Sequence, residues 1–334
     1  MNKIAMIAPG YGNHSVGMGK DFYDNFRLFQ ENFEHASQCL GYNVTRLCFA
    51  ASNADLLNPV HSYIAQFIHS HTIAQMLREK YNIYPQLVTG YGIGTIGALS
   101  AAQVLNLVDS IYIAKKFLEF LTNNKELNNY SSYRISAISI AELKNILIDT
   151  NLIDLKLVSS DSSKSHIISG STQELIKLTL ILKKIRRSIK FQAMGLGHGL
   201  GIKNLDFELV LNQFKPYFNK VDFSSSDLLL LSSVNAQNVL LNDKKEVIEN
   251  ELLKAFSLPL NWLKVLRKLN SYDKVIILGP SKIIKQGLEE SIDNSKLFFC
   301  DNLKEVERLS AKINFQKSMP FNYDLKSITS SINK

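Results

Sequence analysis

The residues best placed to do chemistry are Gly90-Tyr91-Gly92-Ile93-Gly94. A short apolar run, Gln86 to Thr89, stops at Gly90, and a helical pattern through Ile93, Ile96, Gly97 and Ser100 follows. The spacing predicts a sharp strand-to-helix turn, in which glycine supplies positive φ and close backbone approach. This is the frame of a G-x-S-x-G nucleophile elbow, which lifts a hydroxyl to face backbone N–H groups at the head of a helix. Here the tip is Gly92, which has no side chain to attack anything. Taken alone, the five residues read better as an ordinary glycine-rich turn. The remaining reactive groups form no site of their own. Cys39, Cys48 and Cys300 lack metal-ligand spacing, and the seven histidines carry no H-E-x-x-H signature. His69 and His71 fall on different faces of any helix, so neither a metal nor a cofactor is expected.

The elements that must position this turn alternate between strand and helix. Ile4 to Ala8 reads as a buried strand closed by Pro9-Gly10-Tyr11-Gly12, Tyr23 to Leu40 as a helix, and Val60 to Glu79 as a second helix. A helix from Val108 to Leu121 follows the turn. Between 128 and 195 the pattern changes: strand Tyr133–Ile140, helix Ala141–Asp149, strands Leu155–Ser159 and Ser165–Ser169, helix Thr172–Ile185, strand Ile189–Met194. That β-α-β-β-α-β order is the split βαβ of a ferredoxin-like domain. Afterwards come helix Leu205–Phe218, strand Leu228–Leu231, helix Glu246–Phe256, a helix from Trp262, and strand Asp273–Leu278 ending in Gly279-Pro280, with Ser281 as the N-cap of the next helix. The expected fold is therefore α/β. A large parallel-sheet domain of the α/β-hydrolase type (1–127 and 196–314) carries an inserted ferredoxin-like α+β domain (128–195) and a polar tail (315–334). Sites in such sheets lie at the carboxyl ends of the strands, where Pro9-Gly10, the Gly92 turn and Gly279-Pro280 all fall.

Composition bounds the setting. Of 334 residues, 46% are hydrophobic and 20% charged, the balance of a soluble globular chain. The odd cysteine count, the lack of a cleavage pattern in MNKIAMIAPGYG and the absence of a membrane-length apolar run predict a cytoplasmic protein without membrane attachment. A net charge of +8 favours acidic partners. The densest basic run, Lys183-Lys184-Ile185-Arg186-Arg187, has helical spacing and no aromatic platform. It reads as a solvated helix face, and nucleic acid is not the expected partner.

Four stretches in order carry a family resemblance. Pro9-Gly10-Tyr11-Gly12-Asn13-His14-Ser15-Val16-Gly17-Met18-Gly19 is similar to the opening P-G-Q-G-S-Q-x-x-G-M-G of the malonyl-CoA:acyl-carrier-protein transacylases and polyketide-synthase acyltransferase domains. Gly90 to Thr95 resembles their G-H-S-L-G-E, and Gly197-His198-Gly199 falls where they have F-H-S. Pro259-Leu260-Asn261-Trp262 and Gly279-Pro280-Ser281 resemble P-V-R-W and G-P-G. The resemblance implies an elbow serine that takes the acyl group, a histidine base, an oxyanion hole and an arginine that clamps the malonyl carboxylate. Transferred position by position, Gly92 replaces the nucleophile, Tyr91 the histidine before it, Thr95 the glutamate and Tyr11 the opening glutamine. Phe117 stands for the clamp arginine and Ser233 for the asparagine of S-N-V, while Ile93 follows the missing serine. His198 alone keeps its identity, as a remnant base. Losses at 11, 91, 95 and 117 together argue against an engineered knock-out of the serine.

The resemblance therefore implies a degenerate member associated with fatty-acid or polyketide biosynthesis. The favoured reading is a catalytically silent acyltransferase homologue that binds an acyl carrier protein or synthase module, with acyl-CoA as a further candidate ligand. A second reading keeps chemistry: His198 activates water for thioester hydrolysis, or Tyr91 or Thr95 acts as nucleophile in a non-malonyl acyltransferase. A third, binding of nucleic acid or lipid by a basic surface, has only net charge behind it.

Overall fold

The run Ile4-Ala5-Met6-Ile7-Ala8 is buried on both sides, as a central parallel strand must be. The computed structural model describes residues 3–52, 55, 58–124, 129–194, 207–242 and 244–318. In chain order the elements before the small sheet are β1 (Ile4–Ala8), α1 (Lys20–Asn25), α2 (Arg27–Leu40), α3 (Val44–Ala50), α4 (Pro59–Glu79), β2 (Leu87–Gly90), α5 (Thr95–Ala101) and α6 (Leu107–Asn123). The small sheet and its helices are β3 (Tyr130–Ser136), α7 (Ile140–Asp149), β4 (Lys156–Ser162), β5 (Ser165–Ser171), α8 (Thr172–Ile185) and β6 (Lys190–Met194). Then follow α9 (Phe207–Phe218), β7 (Leu229–Leu231), β8 (Asn238–Leu240), α10 (Lys245–Ser257), α11 (Trp262–Leu269), β9 (Lys274–Ile277), α12 (Lys282–Ser291), β10 (Leu297–Phe299) and α13 (Leu303–Ser318).

Six strands form one sheet in the order β10-β9-β1-β2-β7-β8, parallel except for the edge strand β8. The β1 side chains split between its faces: Ile4, Met6 and Ala8 enter one core with α2, α4 and α6, whereas Ala5 and Ile7 enter another with Leu260 and Trp262. The other four strands form a separate antiparallel sheet, β4-β5-β3-β6, the strand order of a ferredoxin-like unit. Helices α7 and α8 cover one face of it through Leu143, Leu175, Leu178 and Leu182. Val158, Ile167 and Met194 pack from the opposite face against Ile283 of α12.

Several boundaries differ from the sequence reading. The expected helix from Tyr23 to Leu40 breaks at Phe26, which is extended (φ −131°, ψ 120°) and sets its ring 4.0 Å from the Lys80 ammonium. The strand expected at 133–140 occupies Tyr130–Ser136 instead. Its alternation continues past Ser136, but Ala137 turns into the left-handed region (φ 68°), and the Ser139 hydroxyl accepts the Glu142 N–H to start α7. Ser281 does sit at the N-cap of α12, but its side chain makes no cap bond. Asn13 supplies the cap from across the fold, accepting the Ile283 N–H at 3.0 Å while donating to the Gly10 carbonyl. Gln66 ties the same loops together, accepting the Asn13 N–H and donating to the Pro280 carbonyl. Helix α13 runs to Ser318, past the expected start of the polar tail, and residues from 319 lie outside the described residues.

His69 and His71, both on α4, face different surroundings. His71 Nδ1 lies 2.6 Å from Ser100 Oγ, whereas His69 is fully buried against Phe22 and Phe29 with neither ring nitrogen partnered among the described residues. Burial, with the His14 charge adding, pushes the His69 pKa down to about 3. The unfolded chain takes up this proton near pH 6.5, which the native state refuses until far lower pH. Stability should therefore be intact above pH 6.5 and fall below it by about 1.4 kcal/mol per pH unit from His69 alone. His14 and His71, each held down to about 4 chiefly by burial, act in the same direction. Denaturant melts of His69→Leu between pH 7.5 and 5 should show a shallower slope than wild type. An unchanged slope removes His69 from the account.

Candidate functional site

The Gly92 turn stands at the carboxyl end of β2, beside the carboxyl ends of β1 and β7. Gly92–Gly94 is a single 3₁₀ turn leading into α5, and Gly92 adopts φ 57°. A Cβ built on Gly90 would strike the Gly94 and Thr95 backbone, and one on Gly94 would strike the Ala8 carbonyl, so the turn tolerates only glycine at both. Gly92 is different. Among the described residues, a methyl built there has nothing nearer than Leu260 Cδ1 at 3.8 Å and the Ala255 carbonyl oxygen at 4.0 Å. Gly92 is itself buried, but the described residues leave room for a Cβ there and none at Gly90 or Gly94.

The frame places the sequence-derived residues as follows. Ile93 is buried in the turn, and its carbonyl accepts the Tyr63 hydroxyl at 2.8 Å, anchoring the turn on α4. Thr95, also buried, opens α5 by donating its N–H to the Gly92 and Ile93 carbonyls. Tyr11 lies on the loop after β1, one residue from Gly10, which packs against the Tyr91 carbonyl. Burial raises the Tyr11 phenol pKa, partly offset by a hydrogen bond with Ser62. Ser233 follows β7, and its carbonyl accepts the Asn261 N–H at 2.8 Å, next to the Leu260 that faces Gly92. Phe117 has no exposed surface and stacks on Phe256 with centroids 4.0 Å apart, beside Phe214. At this position, where the resemblance puts the clamp arginine, three aromatic rings close on one another, as apolar surface drives them to. His198 lies outside the described residues.

Tyr91 reveals a cluster the sequence did not. Its hydroxyl donates to Asp161 Oδ1 at 2.5 Å, and its ring meets Trp262 edge-on at 5.0 Å. Asp161 also accepts from Ser159 Oγ at 2.8 Å and from Arg134 Nη2 at 2.7 Å, and Arg134 donates again to the Ile283 carbonyl. The Asp161 side chain is 3% exposed and that of Arg134 14%. Burial first, and the Asp161 charge second, push the Tyr91 phenol well above its usual range, so it stays a donor. The cluster pins the small sheet to the elbow. Strand alternation offered one signal: Arg134 falls on the face of β3 opposite Ile135, where a buried cation must have a partner. That partner, Asp161, is 27 residues away. Among the described residues no group of three or more His, Cys, Asp or Glu is arranged to hold a metal.

Known proteins share this arrangement of strands and helices over almost their whole length. No protein-family profile matches the chain. Among curated proteins it is 25% identical to a malonyl CoA-acyl carrier protein transacylase of Bacillus subtilis, over 88% of this chain and 72% of the relative. Among solved structures it superposes on the malonyl CoA-acyl carrier protein transacylase of Coxiella burnetii with a TM-score of 0.81 at 15% identity, covering 93% of this chain and 98% of the other. By sequence and by fold, the chain is a homologue of the malonyl-CoA:acyl-carrier-protein transacylases. A further structure, a malonyl-transacylase in complex with a type II polyketide-synthase acyl-carrier protein, superposes with a TM-score of 0.80 at 16% identity, over 93% of this chain and 99% of that one. The transacylase homology accounts for the α/β fold with its mostly parallel sheet and separate antiparallel sheet. No helix among the described residues is long and apolar enough to cross a membrane.

Proposed function

We propose that this transacylase homologue serves fatty-acid or polyketide assembly by engaging an acyl carrier protein, or the synthase module bearing one, without transferring malonyl groups. The observation that carries the reading is Gly92: glycine at the tip of a turn whose neighbours Gly90 and Gly94 keep the elbow's backbone frame. A hydroxyl has nowhere to come from at that tip, and the covalent half of the family's chemistry needs one. The aromatic stack around Phe117 points the same way, since it leaves no cation at that position to pair the carboxylate of a dicarboxylic acyl group. We assign Tyr11, Tyr91, Ile93, Thr95 and Ser233 to the surround of an acyl-pantetheine arm, and His198 to a remnant base. The division into a large unit (1–127 and 196–314) and an inserted one (128–195) belongs to the same proposal. Carrier recognition is supported by the +8 charge and by the fold-related transacylase solved with its carrier protein.

Titration calorimetry with a purified acyl carrier protein tests this. Binding should be measurable at low ionic strength and weaken as salt rises through the range where the Debye length falls from about 30 to 8 Å. No free acid should accumulate from acyl thioesters. Catalytic release of acid that disappears in His198→Ala would replace the binding reading with hydrolysis.

A further inference from the structure

Away from the Gly92 turn, between α3 and the amino end of α4, lies a cavity of about 150 Å³ lined by Tyr42, Asn43, Arg46, Leu47, Asp55 and His61. It has room for a tetrahedral oxyanion and an accompanying water. Two of its polar atoms, the Tyr42 hydroxyl and His61 Nδ1, are shielded from solvent yet have no hydrogen-bond partner among the described residues. Their rings lie against each other with centroids 4.9 Å apart, so both groups belong to one wall. Buried polar atoms without partners are rare, because each costs the full desolvation of the group, and a ligand or water usually answers them.

The charges around the cavity favour an anion, with one internal competitor. Arg46 presents a guanidinium, whose donor fork matches phosphate oxygens. The 21-residue helix α4 begins at Pro59 with its N–H groups already capped by Asn58, so it contributes positive potential only. Asp55 is the opposing group. Its carboxylate accepts the Ser52 N–H at 2.9 Å and the Ser52 hydroxyl at 2.8 Å. Those bonds, and after them the Arg46 and His61 charges, hold its carboxyl below the usual range. A side-chain carboxylate thus already sits in the field of the cations that would receive an anion.

We propose that this cavity binds a phosphate group, held by the Arg46 guanidinium and the Tyr42 hydroxyl in competition with the Asp55 carboxylate. The phosphate is either the free ion or the monoester end of a small ligand. Burial pushes the Tyr42 phenol up, so its hydroxyl can donate to phosphate at neutral pH. The site is independent of the proposed carrier binding and stands or falls without it.

Calorimetry and thermal unfolding of the full chain with inorganic phosphate, glycerol 3-phosphate and acetate provide the test. Phosphate should bind saturably and raise the melting temperature as the site fills. Arg46→Gln should weaken it by tenfold or more. Asp55→Asn should tighten it severalfold, because the competing charge is gone. Tyr42→Phe should weaken phosphate binding yet leave the phosphate-free melting temperature unchanged or higher, since it removes an unpartnered hydroxyl. Tighter binding of glycerol 3-phosphate assigns the site to a monoester, and tighter binding of inorganic phosphate assigns it to the free ion. Non-saturable binding, acetate binding more tightly than phosphate, looser binding in Asp55→Asn, or equal affinity in Arg46→Gln and wild type each overturns the proposal.

Discussion

Incubation with malonyl-CoA should leave the intact mass of the protein unchanged, and Gly92→Ser alone should not create a malonyl transferase. The first result follows from the missing hydroxyl at the elbow tip. In hydrolases of related logic, loss of the serine costs on the order of 10⁶-fold in kcat. The second follows from what surrounds the tip. A serine at Gly92 has space among the described residues, with their nearest atoms 3.8 and 4.0 Å from its Cβ, but must adopt φ 57°. That conformation costs a non-glycine residue roughly 1–2 kcal/mol, so the variant should fold with slightly reduced stability. Its acyl group would still lack a partner for the distal carboxylate, because Phe117 is buried against Phe256 and Phe214. Phe117→Arg is no simple remedy, since it forces a guanidinium into an aromatic stack. Intact-mass spectrometry and a malonyl-transfer assay check both statements. A malonyl adduct on any residue, or efficient transfer by Gly92→Ser, would falsify the reading of this site.

Asp161→Ala should lower unfolding free energy by about 3–5 kcal/mol, the range for stranding one member of a buried ion pair. The charge stranded is the Arg134 guanidinium, whose side chain is only 14% exposed, and two hydroxyls lose their acceptor with it. Tyr91→Phe should cost less, roughly 1.5–3 kcal/mol, as one hydrogen bond to a charged acceptor is removed. A double-mutant cycle over Arg134 and Asp161, read from denaturant midpoints at constant slope, isolates the pair from its hydroxyl partners. A loss under about 1 kcal/mol in Asp161→Ala would mean that water reaches the pair and that the sheets are held together by apolar packing alone. The effect should be felt at the elbow, because Tyr91 is both the residue before Gly92 and the donor to Asp161. Weaker partner binding in Asp161→Asn, at unchanged net fold, would show that this pin sets the shape of the site.

The sequence by itself determined the α/β class, the strand order of the small sheet and the location of the elbow. Those features are written locally. Five consecutive apolar residues make a buried strand, glycine at 90, 92 and 94 makes one kind of turn, and Thr172 to Ile185 carries its helix in its own periodicity. It also determined that no hydroxyl stands at Gly92, a matter of residue identity alone. The three-residue strands β8 and β10 were not legible, whereas β7, equally short, was marked by its unbroken leucine run. Only the tertiary structure decided which side chains answer one another across long stretches of chain. Asn13 caps a helix 270 residues away, the place where Ser281 was the nearer candidate. Phe117 is sealed by Phe256 and Phe214, contributions from α9 and α10 that nothing near it in the chain announces. Tyr91, which reads as a mere replacement in a motif, becomes the donor to a carboxylate 70 residues on. The physical reason is common to all three. A buried polar or aromatic group must find a partner, but sequence spacing does not say which of many compatible partners the fold brings within 3 Å.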